Sequence, residues 1–102
     1  MKTGAPAYGL ADMHRCTIIG GQMARRYGLP LRSSNFSSSN IPDFASGYES
    51  ANSGFAALGA GAHLLMHAVG WVEGGLCTSY EKFVLDCEIM QSLAHLTQPV
   101  AI

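Results

Sequence analysis

The stretch between residues 64 and 83 constrains the fold of this chain more than any other part of the sequence. It opens with an apolar run at residues 64–66, which is typical of a buried strand, and it closes on an amphipathic helix. The connection between them contains the only tryptophan, Trp71, together with His67, Glu73 and adjacent glycines. In α/β proteins ligands bind where such a connection follows a strand. The same arrangement also occurs at turns that bind no ligand. The pattern alone therefore fits either a ligand site or a plain turn.

Three segments show the apolar periodicity of amphipathic helices, near residues 11–27, 42–59 and 80–96. We expect the first helix to bury the large residues that recur at helical spacing, Cys16, Ile19, Met23 and Tyr27. By the same reasoning, the second should bury Phe44, Tyr48, Ala51, Phe55 and Leu58. Two adjacent glycines inside the first helix, Gly20 and Gly21, predict close packing against a neighbouring element, since glycine otherwise weakens a helix.

Capping residues mark the helix boundaries. Gly28, followed by Pro30, ends the first helix. Asn40 is the expected N-cap of the second helix, and Thr78 with Glu81 fits a capping box that opens the third.

Two short strands are predicted near residues 30–34 and 63–69, each between helices. Strands that alternate with helices indicate βα units, so we expect the two strands to be parallel neighbours. Two strands cannot close a barrel, and a complete (β/α)8 barrel needs roughly 250 residues. We therefore interpret the chain of 102 residues as a fragment, and we expect the isolated chain to be marginally stable or prone to aggregation.

Composition excludes several functional classes. A formal charge of −1 gives no electrostatic footprint for nucleic acid. No apolar run approaches the roughly 20 residues of a membrane span, and the first residues lack the apolar core of a signal peptide. Cys16, Cys77 and Cys87 form no CxxC pattern, which favours reduced thiols in a cytoplasmic protein. Charged residues make up only 13% where about a quarter is usual, so we expect much of the surface to be covered.

A set of motifs along the whole chain carries a resemblance to a known family. The motifs are GAP at residues 4–6, MARRYGLP at 23–30, PD at 42–43, GYES at 47–50, HAVGWVEGGL at 67–76, YEKF at 80–83 and DCE at 86–88. In this order and spacing they resemble the trimethylamine methyltransferase (MttB-like) family. The resemblance implies a TIM barrel. The expected fold is thus α/β, with residues 1–102 forming a partial (β/α)8 barrel segment in which parallel strands alternate with helices.

The resemblance also implies an activity. Family members move a methyl group from a methylated or quaternary amine to a corrinoid carried on a separate small protein. All residues here are standard, so the chain is more similar to the branch without pyrrolysine, some of which resembles glycine betaine demethylases. The implied partners are a corrinoid protein and a small methylated amine, with no nucleic acid, no membrane and no cofactor bound directly by this segment. A homo-oligomer is compatible with this reading. Relatives often have glutamine where this chain has Ala45.

Candidate site residues lie in the loops that follow the two predicted strands. We expect His67 and Glu73 to be catalytic and Trp71, Asn35, Ser37, Gly70 and Gly74 to bind substrate. Catalytic groups of such barrels lie at the carboxyl ends of strands, where His67 is predicted, although a core histidine is the alternative. Trp71 could stack on a quaternary ammonium or close the top of the barrel. Glu73 could balance the charge of the cation, act as a general acid, or be solvated.

Other polar residues are weaker candidates for a role in the site. Glu49 is expected to be a solvated or ion-paired helix residue. A metal site built from His67, Glu73 and Cys77 lacks diagnostic spacing, so none is predicted. The loops at residues 4–7, 34–40 and 70–77 should share one face of the fold, because the carboxyl ends of parallel strands point the same way.

A second function remains open at this point. A barrel site draws on several loops, and a chain of this length supplies few of them. A non-catalytic barrel fragment that binds an amine or a partner is therefore the alternative to an enzyme segment.

Overall fold

The computed structural model describes Gly4 and residues 6–101. Its helices are α1 (Ala11–Tyr27), α2 (Phe44–Gly59) and α3 (Tyr80–Leu96). Its strands are β1 (Arg32–Ser34), β2 (Leu64–Met66), β3 (Trp71–Val72) and β4 (Cys77–Thr78), with a short 3-10 turn at Glu73–Gly75. Part of the predicted opening turn, Thr3 and Ala5, lies outside the described residues.

The strands β1 and β2 form a parallel pair, as predicted. Arg32 is in register with Leu64, and Ser34 is in register with Met66. Both strands are shorter than the ranges expected from sequence. The fold is α/β with helices connecting parallel strands, which is compatible with a barrel segment.

A second sheet was not predicted. The strands β3 and β4 pair antiparallel, with Trp71 opposite Thr78 and Val72 opposite Cys77. Each has only two residues, and the turn between them relies on left-handed backbone conformations at Glu73, Gly74 and Gly75. This small hairpin turns the connection after β2 back towards the start of α3.

The buried faces of α1 and α2 differ from the sequence prediction. The helix α2 buries small residues instead of its aromatic stripe: Ser46, Ser50, Ser53, Gly54, Ala56 and Ala57. Phe44 is 87% exposed, and Tyr48 and Phe55 are also exposed. The physical reason is close packing, since a Cβ at Gly54 would collide with the Leu93 side chain of α3.

The expected close approach in α1 is confirmed at Gly21. Its α-carbon lies so near the Ala60 carbonyl that a Cβ there would overlap the oxygen, whereas Gly20 has open space around it. The stripe predicted to be buried in α1 faces outward, and Ile19, Met23 and Tyr27 are exposed. Such outward apolar side chains favour aggregation of the isolated chain, which stays a prediction.

Two of the helix caps lie at positions other than those expected. Asp43, not Asn40, caps α2 by accepting a hydrogen bond from the Ser46 amide at 3.0 Å. Ser79, not Thr78, caps α3 by accepting from the Lys82 amide at 3.3 Å. Gly28 ends α1 in the left-handed conformation that the sequence predicts.

Candidate functional site

A cavity of about 300 Å³ lies at the carboxyl ends of β1 and β2. We call residues 35–40, which follow β1, the serine loop, and residues 67–76, which follow β2, the tryptophan loop. Both loops line the cavity, together with Tyr8 and Met13. The predicted site residues Asn35, Ser37, His67, Trp71 and Gly74 are all among its lining.

Aromatic surfaces form much of the cavity wall. The rings of His67 and Trp71 lie 4.2 Å apart, tilted by 42°. Tyr8 stacks on Phe36 with ring centroids 4.9 Å apart. Because π-faces attract cations, a wall of this kind can contact a positively charged group of a ligand.

His67 is held in an uncommon backbone conformation. Its φ of 51° is left-handed, which a non-glycine residue rarely adopts. Its Nδ1 lies 3.3 Å from the Ser34 hydroxyl, at the end of the neighbouring strand β1. The residue is exposed in this segment, unlike a core histidine. The imidazole thus faces solvent beside Trp71.

Asn35 connects the two loops. Its Nδ2 donates to the Ala68 carbonyl at 2.8 Å, and the residue is only 5% exposed. A carbonyl can only accept, so this contact fixes which way the amide points. The Oδ1 atom is buried and has no partner in the described part of the chain. Asn35 therefore links the serine loop to the tryptophan loop by a hydrogen bond and forms part of the cavity lining.

A carboxylate of α2, Glu49, holds the serine loop. Its Oε2 accepts from the Ser37 hydroxyl at 3.0 Å, the Ser38 amide at 2.6 Å and the Ser39 amide at 3.2 Å. Glu49 therefore holds the serine loop, a role that goes beyond the predicted solvated or ion-paired helix residue. In the sequence, the feature that could have indicated this contact is the run of serines at residues 37–39, which lies shortly before a helix that contains a carboxylate.

Backbone hydrogen bonds join the loops on one face, as the parallel strands predict. The Glu73 amide donates to the Ser39 carbonyl at 2.9 Å, and the Gly74 amide donates to the Ser37 carbonyl at 2.8 Å. The Ser38 hydroxyl donates to the Tyr8 carbonyl. The opening segment, the serine loop and the tryptophan loop thus form one continuous surface.

Glu73 lies beside the cavity and does not line it. The residue lines a neighbouring, more open cavity of about 580 Å³, which shares Tyr8 and Gly74 with the first. The Cys77 thiol donates to its Oε2 at 3.4 Å. This hydrogen bond and the negative charge of Glu73 raise the pKa of the Cys77 thiol. Trp71 and Glu73 therefore line two adjoining cavities.

Gly70 belongs to the tryptophan loop but does not line the cavity, and it is buried beside α3. Its amide donates to Asp86 Oδ2 at 2.9 Å, and its carbonyl accepts from the Ser79 amide at 2.9 Å. Asp86 in turn is paired with Lys82 at 2.5 Å. Sequence analysis gave neither residue a role, although Lys and Asp four residues apart on a helix are a recognisable pair.

Arg32 is a cavity residue that sequence analysis missed. It belongs to β1, and its guanidinium Nη1 donates to Met66 Sδ at 3.1 Å across the parallel pair. Among the described residues that line the cavity, it alone carries a permanent charge. A guanidinium at this place can bind a carboxylate in a bidentate manner.

Within Gly4 and residues 6–101, no three His, Cys, Asp or Glu side chains cluster in a way that could hold a metal ion. In the same part of the chain, no helix combines the length and apolar character needed to cross a membrane.

Comparison with known proteins gives two findings. The sequence profile of the family described as Trimethylamine methyltransferase (MTTB) matches residues 1–102. A glycine betaine methyltransferase of Desulfitobacterium hafniense (strain Y51) is 33% identical over 96 residues, covering 93% of this chain and 20% of that protein. The chain thus spans about a fifth of the length of this relative.

Proposed function

The chain belongs to the trimethylamine methyltransferase family, and on that basis we propose that it is part of a corrinoid-dependent methyltransferase. The methyl donor would be a methylated or quaternary amine, and the acceptor a corrinoid carried by a separate protein. In this proposal residues 1–102 form one (β/α) segment of a TIM barrel. The parallel pairing of β1 with β2 supports that placement. The proposed location is the cytoplasm, which suits the free thiols of Cys16, Cys77 and Cys87.

The observation that carries the proposal is the aromatic cavity at the carboxyl ends of two parallel strands. Active sites of TIM barrels lie at this end of the strands. A quaternary ammonium over an indole face gains roughly 0.5–2 kcal/mol, more when it is desolvated. A volume of about 300 Å³ is at the small end of ligand cavities, which suits an amine of few atoms.

Arg32 favours a betaine over a simple amine. A cation bound alone beside this guanidinium would meet a like charge. A betaine carries a carboxylate that can pair with Arg32 while its trimethylammonium group lies against Trp71 and His67. We therefore propose a betaine as the substrate class, with trimethylamine as the second candidate.

The chemistry of a quaternary substrate also suits the residues of this cavity. A quaternary nitrogen that loses a methyl group leaves as a neutral amine, so the step needs no proton at that nitrogen. The carboxylate of Glu73 lies in the next cavity, where it adds negative charge near the substrate without contact. In this proposal Trp71 and His67 orient and desolvate the cation, and Asn35, Ser37 and Gly74 shape the cavity around it.

The corrinoid would supply a reduced cobalt as the methyl acceptor. A cavity of about 300 Å³ is too small to enclose a corrin macrocycle. We propose instead that the partner protein presents the corrinoid to the open side of the cavity.

The test is methyl transfer by the whole protein that carries this segment. Reduced corrinoid protein is mixed with glycine betaine or trimethylamine, and methylation of the cobalt is followed by absorbance. Arg32→Met should reduce the rate with glycine betaine about tenfold or more, because the carboxylate loses its partner, and should spare trimethylamine.

Arg26→Met is the matched control, because Arg26 is an exposed basic residue of α1 away from the cavity. Equal losses with both substrates in Arg32→Met would contradict the betaine assignment. Binding of betaine with no methylation of any corrinoid protein would favour the alternative function, a segment that binds an amine without turnover.

A further inference from the structure

A buried ion pair lies behind the tryptophan loop. Lys82 and Asp86 are one turn apart on α3, and both side chains are 1% exposed. The ammonium group donates to both carboxylate oxygens at 2.5 Å and to the Ser50 hydroxyl of α2 at 2.5 Å. All three ammonium hydrogens therefore have acceptors. Burying two charges is costly even when they are paired, so a pair of this kind does not by itself indicate a gain in stability.

The pair is attached to the backbone immediately before Trp71. Asp86 Oδ2 accepts the Gly70 amide at 2.9 Å in the interior, while the Ser79 amide fixes the Gly70 carbonyl. Gly70 has a φ of 85°, and a Cβ there would lie 3.4 Å from the Phe83 side chain. Both polar backbone groups of Gly70 are therefore anchored at the beginning of α3.

We infer that the Lys82–Asp86 pair is a positioning device that sets the orientation of Trp71 in the cavity. Neither residue lines the cavity, so both act through Gly70. Lys82 contacts both oxygens of the carboxylate and prevents its rotation. The ionised carboxylate also gives the Gly70 amide a shorter and stronger hydrogen bond than a neutral acceptor would. This inference depends on the proposed function only in the choice of ligand, and the positioning of Trp71 is argued from the contacts of Asp86 and Gly70.

Two double variants separate positioning from packing. Lys82→Met with Asp86→Leu replaces the pair by apolar side chains and removes the acceptor of the Gly70 amide. Lys82→Met with Asp86→Asn also removes both charges but keeps an oxygen that can accept that amide. Apolar replacement of a buried pair often preserves folding, so the two proteins differ mainly in the bond to Gly70.

The first measurement needs no ligand. Trp71 is the only tryptophan among residues 1–102, so its emission in the whole protein is taken as the difference from a Trp71→Phe variant. A protonated imidazole in contact with an indole quenches that emission. We expect acidification from about pH 8 to about pH 5 to quench Trp71 emission in the wild type and the Asn double variant. This quenching should be lost in the Leu double variant. It should also be lost in His67→Gln, the control that shows whether the quenching comes from His67.

The second measurement is a titration with glycine betaine, followed by Trp71 emission. The Leu double variant should bind this ligand about tenfold more weakly than the Asn double variant. Equal affinity and equal acid quenching in the two double variants would overturn the inference. If the wild type fails to bind glycine betaine, the proposed function is weakened, while the acid quenching still decides whether Asp86 positions Trp71.

A third variant covers the case in which the Leu double variant does not fold. Asp86→Glu keeps the charge and the pairing with Lys82, but its extra methylene displaces the carboxylate relative to Gly70. We expect weaker acid quenching and weaker binding of glycine betaine in Asp86→Glu. Wild-type behaviour of Asp86→Glu in both measurements would overturn the inference.

Discussion

The serine loop and the tryptophan loop border the same cavity, and each is held by one carboxylate from the helix that follows it. Glu49 of α2 accepts three hydrogen bonds from the serine loop and remains partly accessible to water. Asp86 of α3 accepts one amide of the tryptophan loop and is buried with Lys82. A partly hydrated carboxylate needs only hydrogen-bond donors, whereas a fully buried one also needs a counter-charge.

The contrast between the buried and the partly hydrated carboxylate predicts that substitution of Lys82 lowers the free energy of unfolding the most. Lys82→Met leaves Asp86 as an uncompensated buried charge, so the free energy of unfolding should fall by about 3–5 kcal/mol. Urea denaturation followed by circular dichroism measures it. The control is Arg15→Met, which breaks the exposed pair of Arg15 with Asp12 and should cost less than about 1 kcal/mol. Similar losses in the two variants would remove the distinction between the buried and the hydrated carboxylate.

A smaller loss is expected at Glu49. Glu49→Ala removes the acceptor of two serine-loop amides and of the Ser37 hydroxyl, but water can reach part of the space that it leaves. The free energy of unfolding should therefore fall by about 1–3 kcal/mol. Hydrogen exchange should speed up at the Ser38 and Ser39 amides and stay unchanged at Gly70. Glu88→Ala, at an exposed position of α3, is the matched control. Faster exchange at Gly70 in Glu49→Ala would show that the two loops are not held separately.

The smallest effect concerns pH at the end of the serine loop. Hydrogen bonds from the Ser46 amide and then from the Ser39 hydroxyl lower the pKa of Asp43 below its ordinary value of 3.8. A lowered pKa in the folded state stabilises the protein above the unfolded-state pKa, and the contribution disappears as the pH falls through the folded-state pKa. The stability difference between wild type and Asp43→Asn should therefore be present at neutral pH and vanish in strong acid. A difference that persists unchanged in strong acid would contradict this role.

Much of the framework could be predicted from local signals. The C-terminal end of α1 follows from Gly28 and Pro30, and the parallel pair follows from strands that alternate with helices. The gathering of Asn35, Ser37, His67 and Trp71 in one cavity follows from a topological rule, because the carboxyl ends of parallel strands share an edge.

Other features, such as how closely two helices pack, depend on distances in the folded chain that the spacing of residues in the sequence does not reveal. Apolar periodicity predicted that Phe44 and Tyr48 are buried, yet α2 packs through serine, glycine and alanine because the helices approach closely. Glu49 and Asp86 contact loop amides 10 to 16 residues earlier in the chain, and only the folded backbone brings them together. Strands of two residues, as in the hairpin around Glu73, are too short for a periodic signal.

The most direct test of the proposed cation site is a comparison of two ligands with the same shape. Glycine betaine and 3,3-dimethylbutanoate share a carboxylate and a branched head group, but only the betaine carries a positive charge. Titrated into this protein and followed by Trp71 emission, glycine betaine should saturate the signal with an affinity about tenfold higher. Equal affinity for the two ligands, or no response to glycine betaine, would contradict a cation site formed by Trp71 and His67.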